Sequence, residues 1–398
     1  MLSVEQARSR VLSAFDPLAP VEIELTQARG CVVAGDLTAS HPSPRFDNSA
    51  MDGYAVRAAD VTGASDTEPA RLELQGEVRA GGTQDPAAVR PGCAVRIMTG
   101  APVPSGADAV VPVEETDEDG GWVLVKAPAP LGAHIRRAGE DLETGDLMVA
   151  AGTELRPGEM ALLAAMGCAR ISVHRRPRVS ILVTGDELVP VDAEPGPGQI
   201  RDSNSVALRS LVEECGAEVA GAERVPDDLE ATVAALQSAA ARSDLVVSSG
   251  GVAVGRYDFI KPAVERLGRI DMWKVAMQPG KPVVLGEVAG VPFLGLPGNP
   301  VSIHVSFEQF VRPALRKMMG HRDLMRPTVI ARLTDAVTKK PGRKHFVRVF
   351  LEQIDGTWFA TPTGPQGSHI LSSLAGCDGV AVFPEAETRL EMGAEVDV

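Results

Sequence analysis

Two adjacent carboxylates, Asp186 and Glu187, follow the apolar run 179–183 through Thr184 and Gly185. Carboxylates so placed can hold a hard divalent cation, which takes oxygen ligands and accepts phosphate oxygens in its remaining positions. The same tetrapeptide also reads as a polar turn in which the aspartate caps the next segment. A second apolar run, 245–247, precedes Ser248-Ser249-Gly250-Gly251-Val252-Ala253-Val254-Gly255. Glycines after a buried strand let several backbone N–H groups face one anion, and the alternative is a purely structural turn. The spacing fits neither the dinucleotide fingerprint nor the P-loop, so nicotinamide-linked chemistry loses its main support. Asp258 is either a further metal ligand or the cap of a helix before Lys261. A third run, 291–296, ends at the rigid corner Pro297-Gly298-Asn299-Pro300.

Lys274, Lys281, Arg348 and Arg201 are the cations available to an oxyanion, and Gln366-Gly367-Ser368-His369 offers hydroxyl and backbone donors. His369 has no Cys, Asp or His at ligand spacing and reads as a structural histidine. Asp52-Gly53, after the Pro-rich approach 41–44, reads locally as a turn. No Ser/His/Asp or Cys/His nucleophile arrangement is evident.

Buried parallel strands read as continuous Val/Ile/Leu runs, and ligands of open α/β sheets collect outside the strands' carboxyl ends. The three turns therefore stand where a site belongs. From residue 179 the rhythm is β then α. Ser203 caps a helix running to Cys215, and Gly216 supplies its left-handed stop. A strand over 218–225, a helix over 229–241, the strand at 245, a helix over 261–267 and a long amphipathic helix over 303–319 complete a mostly parallel sheet with helices on both faces.

Upstream, Ser3 and Gln6 form a capping box for a helix over 3–15 whose stripe is Val4, Ala7, Val11 and Leu12. Strands over 71–78, 94–98, 109–113 and 122–125 build a β-rich unit of about 90 residues. A helix over 157–166 and a strand over 169–173 lead into the cationic linker His174-Arg175-Arg176-Pro177-Arg178. Downstream, strands over 328–333, 345–354, 358–361 and 379–383 give a small all-β domain. The expected division is 1–43 with 138–176 as an N-terminal linker and dimerisation domain, 44–137 as an inserted β-rich domain, 177–320 as the α/β domain and 321–398 as a C-terminal β-barrel-like domain.

Length and composition agree with a multidomain globular chain. At roughly 150 residues per domain, 398 residues make two to four units. Lys and Arg total 39 against 53 Asp and Glu, a net charge of −14. That field opposes nucleic acid and anionic membrane, so an anionic ligand needs a local cluster of cations and N–H groups. Aromatics at 4% argue against base-stacking platforms. The five cysteines have no zinc-ligand or redox-motif spacing and read as reduced thiols. There is no signal-peptide pattern and no apolar stretch near the ~20 residues of a membrane span, so the expected location is the cytoplasm.

Taken in order, the segments Asn48-Ser49-Ala50-Met51-Asp52-Gly53-Tyr54-Ala55, Met98-Thr99-Gly100-Ala101-Pro102, Ala138-Gly139-Glu140-Asp141, Thr184-Gly185-Asp186-Glu187-Leu188, Gln199-Ile200-Arg201-Asp202-Ser203-Asn204, Ser249-Gly250-Gly251-Val252, Pro279-Gly280-Lys281-Pro282, Leu296-Pro297-Gly298-Asn299-Pro300 and Gln366-Gly367-Ser368-His369 resemble the molybdopterin molybdenumtransferase family. That family includes the C-terminal domain of gephyrin, and the resemblance runs from end to end. It implies an elongated four-domain homodimer with a molybdopterin-binding α/β third domain. It also implies the last step of molybdenum-cofactor synthesis, in which adenylylated molybdopterin and molybdate give the cofactor and AMP, with Mg2+ as cation. Carried over, Asp52, Thr99, Asp141, Glu187, Asp228 and Asp258 are the catalytic positions. Thr184, Gly185, Asp186, Ser203, Ser249, Gly250, Gly251, Lys274, Lys281, Pro297, Pro300, Arg348 and Ser368 are the substrate-binding ones, and Asp186, Glu187 and Asp258 the metal ligands. The resemblance places Asp52 and Thr99 in the cleft of a second subunit, and a molybdopterin adenylyltransferase or a molybdoenzyme among the candidate partners. Three positions depart from the family: Gln278 where many relatives carry lysine, Val349 where glycine is frequent, and Ala253 where serine is. They leave a gephyrin-like scaffold, binding a peptide or cytoskeletal partner, as the alternative function.

Overall fold

The computed structural model describes residues 1–81, 88–252 and 258–398. The chain divides into two compact units, one of residues 1–35, 151–160 and 170–398, the other of residues 36–150 and 161–169.

The first unit contains a six-stranded sheet in the order Glu218–Val225, Arg178–Thr184, Leu245–Ser249, Val291–Leu296, Val284–Val288, Gly268–Trp273. The first four strands are parallel and the last two run antiparallel to their neighbours. Side chains alternate between faces along a strand, and here both faces are dry. Val179, Ile181 and Val183 join one core with Leu245, Val247, Leu294 and Leu296, whereas Leu182, Val246 and Phe293 face the other. Each such fully buried side chain contributes about 1.5–3 kcal/mol, which is why the sheet holds its strand ends rigidly. The register sets Val183 beside Ser249 and Ser249 beside Leu296, so three carboxyl ends finish side by side.

The capping box at Ser3 and Gln6 forms, on a helix over Val4–Leu12 that buries Val4, Ala7 and Val11. Two local expectations change. The helix Asn204–Glu214 is not capped by the Ser203 hydroxyl: Ser203 has helical backbone angles, and Asp202 Oδ1 accepts the Ser205 N–H at 2.9 Å instead. The stretch expected as one long helix over 303–319 is Pro300–Ser306, a π-helical turn over Phe307–Val311, and Arg312–Met318. Pro313 has no N–H for an α-helical ladder, and the Arg312 N–H reaches back to the Phe307 carbonyl in the wider π spacing.

A second sheet in this unit follows the order Met277–Gln278, Lys344–Ile354, Thr357–Pro362, Ile330–Leu333, Glu395–Asp397, with Gly379–Phe383 also paired to Lys344–Ile354. Met277 and Gln278 run parallel to Lys344 and His345, which draws the Pro279-Gly280-Lys281 turn towards the start of that long strand. Val349 lies within it as ordinary extended backbone, paired to Pro362 and Gly379, and needs no glycine angles. The second unit carries its own six-stranded sheet, in the order Ala109–Pro112, Gly53–Val56, Cys93–Ile97, Ala70–Val78, Trp122–Val125, Thr116–Asp119. No helix among the described residues is long and apolar enough to cross a membrane.

Two buried histidines tie stability to pH. Burial, with Arg348, Lys339 and Arg343 nearby, pushes the His345 imidazole down to about 4, and neither ring nitrogen has a hydrogen-bond partner. Burial and the guanidiniums of Arg316 and Arg312 push His321 down to about 4 as well, although Glu154 stands 3.5 Å from its Nδ1. Two guanidiniums and a dry site outweigh one half-exposed carboxylate. The unfolded chain therefore binds more protons than the native one between about pH 4 and about pH 6.5, so the contribution is complete above that window and is lost as pH falls through it. Urea unfolding is expected to show a loss of about 2 kcal/mol per histidine between about pH 7 and about pH 5. His345→Phe should flatten the slope; an unchanged slope would assign it to other groups.

Candidate functional site

The strand order fixes where a ligand can sit. The chain leaves Arg178–Thr184 towards Glu218–Val225 on one side and Leu245–Ser249 towards Val291–Leu296 on the other, which opens a crevice at their carboxyl ends. A cleft of about 920 Å³ lies there. It is lined by Thr184, Gly185 and Glu187 at the end of Arg178–Thr184, by Ser249, Gly250 and Gly251 at the end of Leu245–Ser249, and by Pro297 and Pro300 after Val291–Leu296. Ser203 and Asp258 also line it. The lining also includes Gln278, Lys281 and Arg343 with Ser368 and His369.

The glycine loop is shaped by contact. Gly250 and Gly251 have φ of +87° and +64°. A Cβ on Gly250 would stand 2.9 Å from the Thr184 carbonyl oxygen, and one on Gly251 would stand 2.7 Å from Ile260 Cγ1. Asn204 holds the loop from below: its buried amide donates to Ser249 Oγ at 3.2 Å and to the Gly298 carbonyl at 2.8 Å. Ala253, Val254 and Gly255 of the sequence motif lie outside the described residues.

The acidic corner differs in detail from expectation. Asp228 does not line the cleft; it caps the helix Leu229–Arg242, its Oδ1 accepting the Ala231 N–H at 2.8 Å. Its neighbour Asp227 lines the cleft instead. Asp186 is likewise absent from the lining, and its Oδ1 accepts the Asp227 N–H at 3.0 Å, latching two strand-end turns together. Burial raises the Asp227 carboxyl above its ordinary range, and the negative charges of Asp186, Glu187 and Asp258 raise it further. Among the described residues no three Asp, Glu, His or Cys side chains converge as a ready-made metal cluster.

The cations also divide. Lys281 lines the cleft, whereas Lys274 is exposed outside it with φ of +104°. Arg348, expected to touch the oxyanion, is fully buried. Its Nε donates to Ser373 Oγ at 3.0 Å and its Nη2 to the carbonyls of Pro365 and Gly367 at 3.4 and 3.3 Å. Its backbone N–H and C=O are both bonded to the Gln366 amide. Arg348 thus supports the loop that carries Ser368 and does not face the cleft. Arg343, five residues earlier on the same segment, supplies a lining guanidinium; only the Pro341-Gly342 turn before it marks it in the sequence.

Three expected residues lie in the second unit. Asp52 precedes the strand Gly53–Val56, and Thr99 follows Cys93–Ile97, whose Ile97 pairs with Gly53. Asp52 Oδ1 accepts from the Thr99 N–H at 2.7 Å and from its hydroxyl at 2.9 Å, and these bonds hold the carboxyl below its ordinary range. Asp141 receives a long bond from the Ser43 hydroxyl at 3.5 Å.

Comparison with known proteins places this geometry. Residues 2–167 match the model of the MoeA N-terminal region (domain I and II), 180–317 that of a probable molybdopterin binding domain, and 330–398 that of the MoeA C-terminal region (domain IV). Molybdopterin molybdenumtransferase 2 of Mycobacterium tuberculosis (strain H37Rv) is 41% identical over 404 residues, covering 100% of this chain and 99% of its own. The chain belongs to the MoeA family. Another relative, the molybdopterin molybdenumtransferase of Haemophilus influenzae, is 36% identical over 406 residues, covering 100% of this chain and 98% of its own. The solved structure of a molybdopterin biosynthesis moeA protein from Pyrococcus horikosii superposes with a TM-score of 0.84 at 34% identity, covering 100% of this chain and 98% of that one. For this MoeA-family chain, relatives bearing the transferase name do not favour the scaffold alternative.

Proposed function

We propose that the protein is a molybdopterin molybdenumtransferase, which takes adenylylated molybdopterin and molybdate to molybdenum cofactor and AMP. The observation that carries this is that one cleft is lined by two chemically distinct sets of residues. The glycine loop, Thr184 and the carboxylates suit a phosphate-bearing nucleotide, while Lys281, Arg343 and the Ser368 hydroxyl suit a tetrahedral dianion. Those cations concentrate an anion locally despite a net charge of −14.

The acidic corner fits Mg2+, because Asp227 is held above its ordinary range by burial and like charge, which a cation relieves. Mg2+ is ordinarily held by one or two carboxylates and completes its shell with waters and substrate phosphate oxygens, so a complete protein cage is not required. Of Glu187, Asp227 and Asp258 one or two would hold it, and when bound it would polarise the adenylyl phosphate. The glycine loop orients the phosphate through backbone N–H groups, the cationic side chains hold molybdate, and AMP leaves when one water cleaves the phosphoanhydride that joins it to molybdopterin. Asp52, Thr99 and Asp141 complete the cleft from a second copy of the chain in a homodimer.

The test is complementation of a cell deficient in molybdenum insertion, scored by nitrate reductase activity. The wild-type chain is expected to restore activity. Failure despite normal expression and folding would overturn the transferase reading.

A further inference from the structure

Lys281 and Arg343 line one cleft from segments far apart in the chain, and their separation is set by main-chain bonds behind the cleft. The segment 274–283 closes on itself: the Val275 N–H donates to the Lys281 carbonyl at 2.9 Å, and the Lys274 N–H to the Val283 carbonyl at 3.3 Å. Ala276, inside that turn, is bonded on both sides. Its N–H donates to the Leu2 carbonyl at 2.8 Å, and its own carbonyl accepts the Lys344 N–H at 2.9 Å. Lys344 directly follows Arg343, so Ala276 joins the lysine turn to the arginine segment.

The helix Val4–Leu12 completes this linkage. Glu5, in its first turn, pairs with the Lys344 ammonium. Leu2, Ala276, Lys344 and Glu5 thus form a ring, closed through the chain at residues 2–5. The helix is a firm base for it. Val4, Ala7 and Val11 share one core with Val275, Met277 and Phe346. The Arg8 guanidinium donates to Gln309 in the π-helical turn, and the Lys317 ammonium to the Leu12 carbonyl at 2.8 Å. Glu5 itself is exposed and does not line the cleft.

We infer that Glu5 is a positioning residue: by holding Lys344 it fixes Arg343 relative to Lys281, and so sets how well the two cations grip a tetrahedral dianion. The glycine loop is held by other groups, Asn204 among them. Loss of the Glu5 pair therefore reaches the oxyanion and spares the nucleotide. The inference rests on the oxyanion reading of the cleft given above.

Steady-state molybdenum insertion by the full-length protein, with molybdate and adenylylated molybdopterin varied in turn, tests it. Glu5→Gln is expected to raise KM for molybdate about two- to fivefold, the most that a half-exposed ion pair can bias a position. KM for adenylylated molybdopterin and the thermal midpoint should stay unchanged. Lys344→Gln should behave alike, and the double variant should be no worse than either single one, because both remove the same contact. Exchanging the charges, Glu5→Lys with Lys344→Glu, should restore the wild-type value. An unchanged molybdate KM in Glu5→Gln would overturn the inference. So would a joint rise of both KM values with a lower midpoint, which would mark Glu5 as a general packing residue. Lys281→Ala tests the reading beneath it and should raise KM for molybdate at least about tenfold, since a bond to a charged group is lost. An unchanged value there would overturn the oxyanion reading and the inference with it.

Discussion

Glu187→Gln is expected to abolish molybdenum insertion, lowering the rate by at least about a hundredfold while the chain stays folded. Glu187 is exposed and lines the cleft at the carboxyl end of Arg178–Thr184, beside the acidic group whose mutual repulsion raises Asp227. Glutamine keeps the shape and removes the charge that a cation on the adenylyl phosphate would need. Exposed substitutions of this kind change stability by only about half a kilocalorie per mole, so folding and activity separate cleanly. Nitrate reductase activity in an insertion-deficient cell reads the result. Co-expression adds a second arm. Asp52→Asn alone is also expected to be inactive, but together with Glu187→Gln it should recover part of the activity, because a mixed dimer assembles one intact cleft. Full activity of Glu187→Gln would remove the residue from the mechanism, and absence of any recovery in the mixture would argue against a cleft shared between copies.

Gly250→Ala is expected to cost both substrate and stability. The residue sits at φ +87°, where an L side chain is disfavoured by about 1–2 kcal/mol. The added Cβ would also stand 2.9 Å from both the carbonyl oxygen and the hydroxyl of Thr184, on a strand end that the two cores hold in place. The loop must yield, and with it the array of N–H groups offered to the phosphate. Binding of adenylylated molybdopterin should fall by about a hundredfold or more, since two or three donors to a charged group are displaced together, with a thermal midpoint several degrees lower. Isothermal titration and a melting curve check both. Unimpaired binding would mean that the phosphate lies elsewhere in the cleft.

The two substitutions sample the part of the site that was most legible in the chain. Apolar runs followed by Gly, Asp and Pro turns marked the carboxyl ends of Arg178–Thr184, Leu245–Ser249 and Val291–Leu296, because a strand buried on both faces leaves no freedom in residue type until it emerges. The antiparallel edge, Val284–Val288 and Gly268–Trp273, was not read from the sequence. Gly268–Trp273 starts at the glycine that ends the helix Ile260–Leu267, with no connecting loop to set it apart, and Val284–Val288 is joined to Val291–Leu296 only by the tight turn Ala289-Gly290. The π turn over Phe307–Val311 was likewise hidden, since the amphipathic period of a helix barely changes across one wider turn.

Side-chain direction was the harder quantity. Asp227 and Asp228 are adjacent and identical in type, yet one faces the cleft and the other caps a helix. Arg343 and Arg348 share a segment, yet one lines the cleft and the other is sealed behind the Ser368 loop. Nothing local distinguishes the members of either pair; where the helix starts and which way the strand faces decide it.

By itself, then, the sequence determined the parallel core, the position of the ligand crevice and, through its ordered motifs, the family to which the chain belongs. Those depend on composition and spacing along the chain, which fold locally or by burial. Only the tertiary structure decided which acid and which guanidinium enter the cleft, that Asp186 is a latch, and that Glu5 pairs with Lys344. A partner 339 residues away is fixed by the packing of a helix against distant turns and strands, and such pairings leave no periodic trace in the order of the residues.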